Sequence, residues 1–139
     1  MNIARKFVNF GALTASLLAL TAANAEVSRS KELTCSGTVS YGQETFSDQI
    51  VLRFSDSDVE VSGEAWMTST FEGMLRYKIC FESENEVNFE YTTSQQCGNT
   101  STRTGYLQKV VGSLRLTRSD IGEPFVGNYK CKPAQRVLN

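Results

Sequence analysis

The chain has 139 residues with 14 basic and 15 acidic side chains, four cysteines and no histidine. A charge balance this close to neutral argues against a general nucleic-acid binder, whose affinity rests on neutralising phosphates. Without histidine, neither a Cys–His zinc site nor a histidine-activated serine or cysteine nucleophile can be built.

The first residues carry two cations, Arg5 and Lys6, then an apolar run over residues 10–20, then Ala23-Asn24-Ala25. This order predicts a secretory signal peptide over residues 1–25, cleaved after Ala25. The apolar run is shorter than the roughly 20 residues that span a bilayer, and a retained anchor is the lesser alternative. No cysteine follows it to accept a lipid. The expected mature chain is a single all-β domain over residues 26–139, with 12 basic and 15 acidic side chains and no membrane span. It is expected to be exported, either periplasmic or secreted.

From residue 33, short β-branched and aromatic runs alternate with clusters of Gly, Asn, Asp and Ser, and helical periodicity is almost absent. Strands are predicted at 33–40, 45–54, 59–67, 74–82, 86–93, 102–111, 113–118 and 125–132. The intervening SDSD (55–58), SENE (83–86), QQCGNTS (95–101) and SDIGEP (119–124) are turn-forming. Connections this short leave no room for crossover helices, so sequential strands pair antiparallel. In the second run Phe46, Ile50, Leu52 and Phe54 share one face and Thr45, Ser47, Gln49 and Arg53 the other. In the fifth, Val87, Phe89 and Tyr91 oppose Asn88, Glu90 and Thr92. A sheet with one apolar face and no covering helix closes on itself or folds into two layers. The expected fold is therefore a small antiparallel up-and-down β-barrel of about eight strands, or a flattened sandwich. Gly37, Gly63, Gly105, Gly112 and Gly127 are expected at bulges and bends, Gly112 alternatively in a hairpin turn.

Four cysteines in a small exported chain, with no CxxC pair, read as two disulfides rather than a metal site or a reactive thiol. Cys35 shares a face with Leu33 and Val39, and Cys131 with Phe125 and Tyr129, so both point inward. In an even-stranded up-and-down barrel the first and last strands are antiparallel neighbours, which favours Cys35–Cys131 as a closure of the seam. Cys80 alternates with Arg76 and Lys78 on the outer side, opposite Ile79 and Phe81, and Cys97 sits in a polar loop, which favours Cys80–Cys97.

Motifs for chemistry are sparse. DSDVEVSGE (56–64) brings Asp56, Asp58, Glu60 and Glu64 together, yet Val61 stands where a calcium loop needs glycine. No GxSxG elbow or glycine-rich phosphate loop is present, no local pattern singles out a glycosidase carboxylate pair, and a serine–lysine dyad is left unmarked. No catalytic residue, cofactor or metal is expected. NTS at 99–101 matches the glycosylation pattern. Trp66, the single tryptophan, packs in the core if a bulge at Gly63 turns it inward and otherwise marks an exposed contact near Tyr41 or Tyr106.

Charge is uneven: residues 44–90 hold eleven acids and three bases, residues 103–136 seven bases and two acids. Either these charges meet when the strands fold together or they leave a basic face. The candidate contact face is Lys109, Arg115, Arg118, Lys130 and Lys132 with Trp66, directed at an acidic protein or a polyanion. The function expected first is a non-catalytic binding or inhibitory module for another envelope or secreted protein. The alternatives are a carrier holding a small apolar ligand inside the barrel and, more weakly, an enzyme of a type no motif marks. The plan of a signal peptide, eight short strands and two disulfides is similar to that of bacterial periplasmic lysozyme inhibitors and, more distantly, of lipocalin-like barrels. The resemblance is architectural and carries no residue assignment.

Overall fold

The computed structural model describes residues 31–63, 74–92, 94, 96–98, 102–120 and 122–134. The expected signal peptide, Glu64, Trp66 and the NTS segment lie outside the described residues. Eight strands follow one another: β1 (Glu32–Tyr41), β2 (Glu44–Phe54), β3 (Asp58–Gly63), β4 (Met74–Glu82), β5 (Glu86–Tyr91), β6 (Arg103–Gln108), β7 (Ser113–Arg118) and β8 (Phe125–Pro133). Each pairs antiparallel with the next, and β8 pairs with β1, so the sheet is a closed barrel rather than a sandwich.

Alternation along the strands builds the interior. Every strand sends buried apolar side chains inward, among them Leu33, Leu52, Val61, Tyr77, Phe89, Leu107, Leu116 and Tyr129. They form one continuous core, with Tyr77 and Phe89 in an edge-to-face contact at 5.4 Å between ring centroids. Burial pushes the Tyr77 phenol up to about 12.

Two of the strand glycines act differently from the expectation of bulges. Gly105 stands opposite Phe89, and a Cβ there would collide with the Phe89 ring; Gly127 leaves room for the Tyr129 ring in the same way. They are spaces for aromatic rings inside a narrow barrel. Gly112, at φ +66°, turns the chain between β6 and β7. The bulge in the described ladder falls instead in β4, between Ile79 and Phe81. It reverses the side-chain phase, so Phe81, expected on the inner side with Ile79, is 50% exposed.

Both disulfides form as expected. Cys35 and Cys131 are register partners inside the barrel, joining β1 to β8 across 96 residues. Cys80–Cys97 spans 17 residues on the outside and ties the loop after β5 back over β4. No helix among the described residues is long and apolar enough to cross a membrane.

Candidate functional site

The outward side chains of β6, β7, β8 and β1 form two polar rows. Tyr106, Arg115, Asn128 and Thr38 are successive register partners across the four strands. Gln108, Ser113, Lys130 and Ser36 form the next row. At about 4.8 Å between strands the rows extend over about 15 Å. Between them lies a groove of about 490 Å³ lined by both rows. A second hollow of about 660 Å³ continues from Ser36 and Gly37 over β2 as far as Gly63.

The groove floor is braced from within. Gly37 lies between Asp48 of β2 and Tyr129 of β8 in register. It has no side chain, so the Tyr129 hydroxyl crosses β1 and donates to Asp48 Oδ2 at 2.8 Å. Asp48 Oδ1 accepts the Gln49 amide at 3.0 Å. Asp48 is only 4% exposed; burial first, then the Asp48 carboxylate, raises the Tyr129 phenol well above its usual range. Asp48 is in phase with Phe46, Ile50 and Leu52, and a strict period of two shows it facing inward; reading only the apolar members of that face misses it.

Of the five cations on the expected contact face, three stand on the outside of this sheet: Arg115, Lys130 and Lys132 are exposed. Arg115 and Lys132 make no ion pair or hydrogen bond among the described residues, and Lys130 donates to Ser113 Oγ at 3.3 Å. Arg118 alternates inward, is 5% exposed and donates to Asp120 Oδ1 at 2.6 Å. Its register partner Arg103 donates to Asp120 Oδ2 at 2.9 Å, so one carboxylate bridges two buried guanidiniums. Their rings of contact are Tyr91 and Phe125, each about 5.6–5.7 Å from a guanidinium carbon. Lys109 sits in the β6–β7 turn, held by Glu82 at 2.9 Å and the Ser83 carbonyl at 2.8 Å. The two departures have plain causes: Arg118 is two positions from the inward Leu116, and Lys109 lies past the end of its strand.

The other half of the outer surface differs. Arg53 pairs with Glu32 at 2.8 Å, Arg76 pairs with Glu60 at 2.9 Å, and Lys78 stands opposite Glu90. Glu60, once a candidate calcium ligand, is thus engaged by Arg76. Ser55 and Asp58, beside it, close a hydrogen-bonded turn. The sulfurs of Cys80 and Cys97 and a Glu90 oxygen lie within 4.8 Å of one another, but the disulfide leaves no thiolate for a metal.

Chemically, the groove offers a planar guanidinium, an ammonium, two amides, several hydroxyls and one phenol ring. Lys130 is exposed where its ammonium meets the Ser113 hydroxyl. The arrangement suits recognition by hydrogen bonds and charge. No protein-family model, curated protein or solved structure matches this chain.

Proposed function

We propose that this protein is an exported, non-catalytic binding module that engages another protein of the envelope or extracellular space through the outer face of β1, β6, β7 and β8. The observation that carries this reading is the division of labour between the two sides of the sheet. The inner side is filled by the protein's own Phe, Tyr, Leu, Ile and Val, whereas the outer side holds a groove in which Arg115 has no ion-pair or hydrogen-bond partner among the described residues and Lys130 meets only Ser113 Oγ. The N-terminal segment and the two disulfides support an oxidising destination outside the cytoplasm.

The test is titration of the oxidised chain, residues 26–139, with the environment-sensitive apolar dye 1-N-phenylnaphthylamine. A filled interior gives no saturable fluorescence gain. A saturable one-to-one signal that is lost on reduction would transfer the function to a carrier of apolar ligands.

A further inference from the structure

The groove's composition says what kind of partner it takes. Ser36, Thr38, Ser113 and Asn128 line it, with Tyr106 and Arg115 adjacent in one row. Surfaces selected for protein recognition use this mixture. Tyrosine and arginine give large contacts at low entropic cost, and small hydroxyl and amide side chains adapt their hydrogen bonds around them. Tyr106 is already fixed, because its hydroxyl donates to Glu86 Oε2 at 2.8 Å, so its ring does not have to be ordered on binding.

Two further features narrow the partner. The closed barrel leaves no free strand edge among the described strands, so a peptide cannot be captured by adding a strand. The hollow must be entered by something convex. Arg115 has no carboxylate partner, and Lys130 is its diagonal neighbour on β8, about 7–8 Å away in such a register. A guanidinium in this setting presents a fork that a carboxylate fits with two parallel hydrogen bonds.

Resting on the binding-module reading, the geometry points to a folded protein partner that inserts a convex acidic loop into this groove, an Asp or Glu carboxylate docking on Arg115 with Asn128 and Thr38 beside it. The acidic loop replaces water around Arg115 and is flanked by Lys130 and Lys132.

The experiment is photo-crosslinking of the full chain in the cell that exports it, with p-benzoylphenylalanine placed at Asn128 in the groove or at Arg76 on the opposite outer face. The expected result is one protein adduct from position 128 and none from 76. It should fall at least tenfold in R115E and in raised salt, and recover when the acidic residue of the crosslinked loop is changed to lysine. R115Q, judged with R115E against the wild-type circular dichroism melt, separates loss of charge from loss of fold.

Adducts from 76 alone overturn the groove assignment but leave the binding module standing. A protease-resistant glycan adduct at 128 overturns the class of partner. A protein adduct indifferent to R115E and to salt overturns the carboxylate contact. Absence of adducts at both positions removes the binding reading together with this one.

Discussion

The seam between β1 and β8 and the flank formed by β4 and β5 each carry one disulfide, and the two use it for opposite ends. At the seam the bond lies inside the core between register partners and joins the two ends of the described chain, 96 residues apart. On the flank it lies outside, spans 17 residues and holds a loop over the strands, where the Gly98 amide donates to Glu90 Oε2 at 3.0 Å. Charge divides the same way. Arg76 and Lys109 find carboxylates of the flank at 2.9 Å, while Arg115 and Lys132, beside the seam, find none among the described residues. An uneven distribution of charge along a sequence therefore both cancels and persists: β-pairing brings acids such as Glu60 and Glu82 to cations and leaves Arg115 and Lys132 of the last strands without a carboxylate among the described residues.

The largest effect expected is loss of the seam bond. In the loop-closure account, a loop of nearly one hundred residues contributes about 4–5 kcal/mol and one of 17 about 3 kcal/mol. Urea unfolding of C35A/C131A and C80A/C97A against the wild-type chain should give costs in that order. The flank variant should keep the cooperative transition of the core. An equal or larger cost for C80A/C97A would mean that the flank loop, rather than the seam, closes the fold.

Glycine substitutions sharpen the same contrast at one position in each region. A Cβ at Gly37 would run into the Asn128 carbonyl oxygen and the Tyr129 backbone, where β1 and β8 are tightly joined. G37A should cost about 2–4 kcal/mol and also misplace the Tyr129–Asp48 hydrogen bond beneath the groove. At Gly98 a Cβ meets open space, and only the backbone at φ +87° resists it. G98A should cost about 1 kcal/mol. Thermal melts of the two variants measure both, and near-equal shifts would show that the seam is not close-packed.

The legibility of this molecule in its sequence follows from the same physics. Period-two alternation over several short runs, with no helical pattern between them, narrows the fold to an antiparallel barrel or a flattened sandwich, and in the barrel that forms the inward phases of Cys35 and Cys131 bring them together as register partners. Two predicted strands, at 74–82 and 113–118, have the observed bounds. Alternation breaks down wherever the backbone departs from it, and such departures carry no residue signature: the β4 bulge has no glycine, so the pattern alone places Phe81 inward. The groove was half legible. Its cations were visible as a basic C-terminal third, but the polar rows that surround them come from β1, β6 and β8 at once. That combination depends on strand register, which a pattern within single strands does not encode.

Charge gives the smallest effect and the finest test of the comparison. On the flank, ion pairs such as Arg76–Glu60, with side chains 62% and 30% exposed, contribute below about 1 kcal/mol, and R76Q should barely move the melt. Asp120 is placed differently. Its carboxylate bridges Arg103 and Arg118, whose side chains are 9% and 6% exposed, and D120N should cost about 1–3 kcal/mol near neutral pH. Burial opposes ionisation of Asp120, but the hydrogen bonds from Arg118 and Arg103 outweigh it and hold the group below its ordinary value. A carboxylate lowered in this way stabilises the fold above its unfolded pKa of about 4, and that stability is lost as the pH falls through the lower folded value. Wild type should therefore lose midpoint temperature below about pH 4 more steeply than D120N, with the two curves converging in acid. Parallel curves for the two proteins would place the acid-sensitive charges on the exposed flank instead of in the buried bridge between β6 and β7.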